Sequence, residues 1–178
     1  MSANVFSWKK LFFFCLGLFV ASMFCMKWIE SDFISNGKLF TIIDLELKLG
    51  KQELISLLSG LDDKTRTVVG YHLHFDFLFM AGVFPGLASL CMMAREITGN
   101  KLVQSLLLLF AFLQFFAWGF DIYENIHLIK WLNNPATVDG IDFYHLLVRL
   151  KFIFAFGALL VLLVAFLFFR KKSTKSQS

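Results

Sequence analysis

Four long apolar runs alternate with polar segments along the chain. The runs cover residues 11–29, 71–94, 102–125 and 143–169. An α-helix needs about 20 predominantly apolar residues to cross the hydrocarbon core of a bilayer. The pattern therefore predicts an all-α membrane protein, a four-transmembrane-helix bundle that forms one membrane domain over residues 1–178.

The first apolar run follows a basic start, Lys9 and Lys10, which is also typical of a signal peptide. No small-x-small cleavage site follows a short apolar core in this region. We therefore expect residues 11–29 to be a retained first transmembrane helix.

The long polar segment between the first two runs has an amphipathic part at residues 38–61. The strict alternation over 43–49, IDLELKL, favours a strand by its period. A lone strand beside a membrane has no pairing partner, so we predict an amphipathic helix that lies in the interface. Gly50 acts as a break, and a second short amphipathic helix follows it.

Glycine, proline and tryptophan mark further features of the helices. Pro85 lies inside the second run between Gly82 and Gly86, which predicts a kink and a small-xxx-small surface for a close helix neighbour. The tryptophans fall at or near the predicted span ends and are interpreted as interface anchors. They are Trp8, Trp28, Trp118 and Trp131.

Composition supports the membrane class and excludes others. Hydrophobic residues make up 58% of the chain, and the mean hydropathy is +0.70, which a soluble domain of this size does not tolerate. The net charge of +4 forms no basic stripe with exposed aromatics, so the sequence does not indicate nucleic-acid binding. The three cysteines lie inside apolar runs without CxxC spacing, and we predict neither a cofactor nor a metal.

The charges predict an orientation with both termini in the cytoplasm. The segments on that side contain Lys9, Lys10, Arg95, Lys101 and a basic tail over 170–178, with Glu96 as their one acid. This distribution follows the positive-inside rule. The segment 38–61 would then be extracytoplasmic.

Ionisable residues of three helices fall at the same predicted height. Asp76, Asp121 and Lys151 each lie about 27–29 Å from the inner end of their own apolar run at about 1.5 Å per residue. Such a layer lies in the outer leaflet, near the headgroups. Glu124 and Asn125 share the helix surface around Asp121, at i+3 and i+4.

The fourth run offers two cations to this layer, Arg149 and Lys151. Two positions on a helix differ by about 200°, so both cannot face the bundle interior. We expect one to pair with a carboxylate and the other to extend towards the interface, and the spacing leaves open which is which. On the second run His72 and Asp76 are i,i+4 partners.

Several functions fit such a layer. Carboxylates facing a cation can bind a lipid headgroup, a small solute or a partner subunit. Alternatively, Asp121 or Glu124 performs acid/base chemistry on a lipid in the outer leaflet. The groups could also sit among headgroups and water in a purely structural role, or His72 and His145 could bind haem in an accessory subunit.

Four sequence segments resemble those of small bacterial four-span integral membrane proteins of unassigned function. The segments are IIDLELKLGKQELISLL, HFDFLFMAGV, DIYENIHLI and RLKF, within residues 40–155, and the most specific piece is DxxEN at the end of the third helix. The resemblance implies the same bundle in a bacterial cytoplasmic (inner) membrane, and no activity. It points to these site residues: Glu46, Asp76, Asp121, Glu124, Asn125 and Lys151.

Overall fold

Four long α-helices contain the four apolar runs. In the computed structural model, which describes residues 3–35 and 37–169, these helices are α1 (Ala3–Glu30), α3 (Asp63–Ile97), α4 (Lys101–Asn133) and α5 (Ile141–Phe168), and a shorter helix, α2 (Lys51–Ser59), precedes α3. Each long helix contains a stretch that is long and apolar enough to cross a membrane. The predicted basic tail over 170–178 lies outside the described residues.

Three of the helices extend well beyond the predicted spans. Helix α1 begins at Ala3 rather than at residue 11. Helix α3 begins at Asp63 rather than at residue 71, and α4 continues to Asn133 rather than ending at residue 125. The Asp62 side chain caps α3 by accepting a hydrogen bond from Thr65 N at 2.6 Å. Apolar length indicates only the membrane-sized part of a helix, whereas caps determine where the helix ends.

Residues 31–35 and 37–61 form a small structure, which we name the cap, beside the same ends of the long helices. It contains an antiparallel strand pair, β1 (Ile34–Ser35) and β2 (Lys38–Leu39), then a π-helical turn (Asp44–Lys48) and α2. The alternating residues 43–49 thus lie around a helical turn and not in a strand. The strand pair was not predicted from the sequence; Gly37, with φ +73°, lies in its turn.

Helix α3 is the centre of the bundle. It packs against α1, α4 and α5, and α4 also packs against α5. Among the described residues, α1 and α5 make at most slight contact with each other. A space therefore remains over the surface of α3 between these two helices.

The contact between α1 and α3 is close because of a glycine. A Cβ atom added to Gly82 would lie 2.6 Å from Phe19 N and 2.8 Å from Cys15 O. Helix α3 continues through Pro85 without a break. The small residue lets the two backbones approach, as small residues do between membrane helices.

The helix ends next to the cap enclose a core of large side chains. Trp131 is 1% exposed, and its ring centroid lies 4.9 Å from that of Tyr144. The interpretation of Trp131 as an interface anchor is therefore wrong, because α4 extends past the predicted span and carries this residue under the cap. The Arg66 side chain of α3 also joins the neighbouring helices. It donates hydrogen bonds to Leu132 O near the end of α4 and to Leu58 O near the end of α2.

Candidate functional site

The Lys151 side chain is the centre of a buried group of charges. Its Nζ lies 2.5 Å from Glu124 Oε2, 2.7 Å from Asp121 Oδ1 and 3.7 Å from Glu46 Oε2. Lys151 is 6% exposed, and the three carboxylate residues are between 1% and 7% exposed. One ammonium group thus connects α5, α4 and the cap.

Local helix geometry explains the convergence. Asp121 and Glu124 lie three positions apart on α4 and therefore share a surface. On α5, Lys151 follows the buried residues Tyr144 and Val148 at helical spacing. Glu46 belongs to the π-helical turn of the cap, which brings its carboxylate to the same point from another direction.

A hydrogen bond connects α3 to this buried group of charges. Asn125 Nδ2 donates to Asp76 Oδ2 at 2.6 Å and to Leu73 O at 3.4 Å. This bond joins the side chains of α3 and α4 across their interface. We name the complete set the charged cluster: Glu46, Asp76, Asp121, Glu124, Asn125 and Lys151.

The structure brings together all but one of the residues expected at the site. Arg149 is exposed, whereas Lys151 is buried against the carboxylates. The question of which cation faces inwards is therefore answered in favour of Lys151, and Arg149 does not reach the cluster. The reason is the turn of about 200° between two positions on one helix.

The charged cluster is enclosed by protein. Asp121 lies twelve residues before the end of α4 at Asn133, which is about 18 Å at 1.5 Å per residue. The cap covers the cluster at that end through Glu46. The alternative in which these groups simply sit among headgroups and water does not agree with this burial.

Carboxylates outnumber cations in the cluster. Glu46, Asp76, Asp121 and Glu124 face Lys151, so full ionisation would give four negative charges and one positive charge. Burial raises the pKa of Glu46, because protein replaces the water that would stabilise its carboxylate, and Lys151 opposes this shift. A proton on a carboxyl group, or a further positive charge nearby, would reduce this excess of negative charge.

Some buried polar atoms around the cluster have no hydrogen-bond partner within the described residues. They are Glu124 Oε1, Tyr144 Oη and His72 Nδ1. Buried polar groups normally have partners, and exceptions often mark a functional site. Within the same described residues, no three His, Cys, Asp or Glu side chains are placed to hold a metal ion together.

A cavity of about 550 Å³ leads to the charged cluster. It lies in the space between α1 and α5 and over α3, and we name it the groove. At the end near the cap its lining includes Glu46, His72, Asp76, Asp121 and Lys151. Along the rest of its length the walls are mainly apolar: Phe12, Leu16, Phe19, Phe79, Val83, Leu87, Phe152, Ala155, Phe156 and Leu159.

The groove runs along α3 from His72 to Leu87, about 22 Å at 1.5 Å per residue. The sequence did not predict the groove. Its phenylalanines are spaced along the helices in the same way as phenylalanines that face lipid or that fill a helix interface. Its walls come from helices that are distant in sequence. The His72/Asp76 pair was the one sequence signal for it, since both side chains line the groove.

Neither protein-family models, curated proteins nor solved structures match this chain. The resemblance based on DxxEN therefore stays an expectation.

Proposed function

We propose that this protein is an integral membrane protein that binds an amphiphile, with the chain in the groove and the polar headgroup at the charged cluster. The observation that carries the proposal is the apolar cavity of about 550 Å³ that ends at Asp76, Asp121 and Lys151. Ligand sites of this kind combine apolar walls with a few polar groups that fix orientation. An apolar wall and a charged end match the two parts of a lipid-like molecule.

The proposed setting is a bacterial inner membrane, with both termini in the cytoplasm and the cap on the opposite side. Four candidate spans support insertion, and the basic segments at Lys9, Lys10, Arg95 and Lys101 support the orientation. Large exposed apolar side chains, such as Phe14 and Phe24, would face lipid. The charged cluster would then lie in the outer leaflet.

A lipid-like ligand fits the geometry better than a small solute or a partner subunit does. A small polar solute would contact only the charged end and leave the apolar walls, which include Phe79, Phe156 and Leu159, without a matching group. The separation of α1 from α5 would open the groove towards the lipid side. A chain could then enter from the bilayer without crossing water.

A matched pair of tryptophan substitutions tests the proposal. Ala155 lines the groove, so Ala155→Trp fills it; Ala21 is exposed on α1 and outside the lining, so Ala21→Trp is the control. Native mass spectrometry of protein extracted gently from its own membrane measures the retained amphiphile. We expect retention by the wild type and Ala21→Trp and at least a tenfold loss in Ala155→Trp; equal retention in all three would contradict the proposal.

A second candidate is acid/base catalysis on the bound amphiphile. The groove reaches Asp121, a carboxylate that could exchange a proton with a headgroup. Mass spectrometry of lipid extracts after incubation with the protein would detect a product. Catalysis predicts that Asp121→Asn stops product formation and keeps the amphiphile bound, and the absence of any product with the wild type would exclude it for the lipids supplied.

A further inference from the structure

We propose that the amphiphile carries a protonated amine, which binds between Asp76 and His72 at the end of the groove near the cap. This inference rests on the proposed function and adds the chemical class of the headgroup. We infer it by comparing the charged side chains of the groove that already have a partner of opposite charge with those that have none.

Both lysines of the groove lining already have carboxylate partners. Lys151 Nζ lies within 4 Å of carboxylate oxygens of Glu46, Asp121 and Glu124. Lys27 Nζ lies 2.5 Å from Glu30 Oε2. Lys151 is therefore not available to an anionic headgroup, and the charge of the exposed Lys27 is already compensated by Glu30. At the end of the groove near the cap, an anionic headgroup would meet the carboxylates of Glu46, Asp76 and Asp121.

Asp76 is the carboxylate without a cation. It lines the groove and is half-buried, and no ion pair among the described residues includes it. Its Oδ2 accepts a hydrogen bond from the neutral amide of Asn125 at 2.6 Å. An ionised carboxylate in an apolar environment is stable only with a compensating positive charge.

His72 supplies a second, independent group at the same place. Its side chain lines the groove one helical turn from Asp76, is 2% exposed, and its Nδ1 has no partner within the described residues. Positions i and i+4 on a helix have Cβ atoms about 5–6 Å apart. An ammonium group at this end of the groove can therefore donate an N–H to the Asp76 carboxylate and lie beside the imidazole of His72.

Three dodecyl probes with the same chain test the headgroup: dodecylamine in its protonated form, dodecanol and dodecyl phosphate. Each is added to the protein in phosphatidylcholine nanodiscs, and native mass spectrometry counts the bound probe. Binding to Ala155→Trp, in which the groove is filled, is subtracted from each value. We expect the amine to bind at least tenfold more tightly than the alcohol or the phosphate.

Asp76→Asn should reduce binding of the amine at least tenfold and leave binding of dodecanol unchanged. Asp142→Asn, the same chemical change at an exposed position of α5, is the control and should bind all probes as the wild type does. If Asp76→Asn does not fold, the wild-type probe series decides alone. Dodecyltrimethylammonium, which has no N–H to donate, should then bind more weakly than dodecylamine.

The outcomes separate this inference from the proposed function. If the three probes bind the wild type equally and none of them binds Ala155→Trp, the amine preference is overturned, but the groove is still an amphiphile site. Tighter binding of dodecyl phosphate would overturn it as well. If Ala155→Trp binds every probe as well as the wild type, the proposed function and this inference both fail.

Discussion

The two halves of the bundle are held together by different means. In the half beside the cap, helices are joined by the charged cluster and by large side chains such as Trp131 and Tyr144. In the other half, which we call the uncapped half, the buried residues are small or aliphatic and carry no charge: Ala88, Cys91, Val103, Leu107, Ala111, Ala158, Leu162 and Ala165. Polar side chains there bond mostly to nearby backbone, as Ser89 does to Gly86 O at 2.8 Å.

The difference between the two halves follows from the kinds of helix contact that an apolar interior and a charged interior can stabilise. Lipid is as apolar as a leucine side chain, so helices within it associate through close packing of small residues. Buried charges across helices specify one arrangement, provided that each has a partner. We infer that the uncapped half combines packing with the apolar walls of the groove, whereas the half beside the cap adds the charged end of the ligand site.

The largest expected effect comes from removing the central cation. Lys151→Met would leave the carboxylates of Asp121 and Glu124 without their partner and should reduce the free energy of unfolding by about 3–5 kcal/mol. Arg149→Met, on the exposed side of the same helix, should change it by less than about 0.5 kcal/mol. Unfolding in detergent micelles measures both, and similar values for the two variants would contradict a stabilising role of Lys151 in the charged cluster.

The next effect compares one polar group from each half. Asn125→Leu removes the donor to Asp76 and Leu73 O between helices, and should cost about 1–3 kcal/mol. Ser89→Ala removes a hydroxyl that bonds within its own helix, and should cost less than about 0.5 kcal/mol. If both variants lose the same free energy of unfolding in this assay, the hydrogen bond between helices beside the cap stabilises the protein no more than the bond within one helix in the uncapped half.

A glycine substitution tests close packing. Gly82→Ala places a methyl group against Phe19 N and Cys15 O, so α1 must move away, at a cost of about 1–2 kcal/mol. Gly17→Ala, on α1 with nothing within 4 Å of the added atom, should be neutral or stabilise the protein by up to about 1 kcal/mol. A crosslinking distance between α1 and α3 that does not change in Gly82→Ala would argue against the close contact.

The smallest effect concerns the attachment of the cap. Glu30 Oε1 accepts a hydrogen bond from Ile42 N at 3.0 Å, so Glu30→Gln should weaken this contact by about 0.5–1 kcal/mol. Hydrogen exchange of the Ile42 amide should become faster, while amides around Leu107 keep their protection. Faster exchange in both places would mean that the cap and the uncapped half open together.

Hydropathy predicted the four helices but not their ends. The apolar runs indicated where a helix could cross lipid, and α3 and α4 then extended beyond them through capping and packing under the cap, as at Asp62 and Trp131. The strand pair around Gly37 gave no signal, since two-residue strands are too short to show a period.

The site was predictable in part. Counting helical heights placed Asp76, Asp121 and Lys151 in one layer, because an α-helix has a fixed rise per residue. Helical spacing also showed that Arg149 and Lys151 cannot both point inwards. Which of them does depends on how α5 is rotated against α4, and that rotation is set by contacts across the whole interface.

The sequence by itself determined the mainly helical fold of this chain, its four long apolar helices and the common level of its charges, because each of these depends on local composition and helical period. Tertiary structure alone decided that Lys151 is the inward cation, that Glu46 reaches it from the cap, and that Asp76 and His72 line a groove. These features depend on how helices distant in sequence are placed around α3. The separation of α1 from α5, which creates the groove, is not encoded in any single segment.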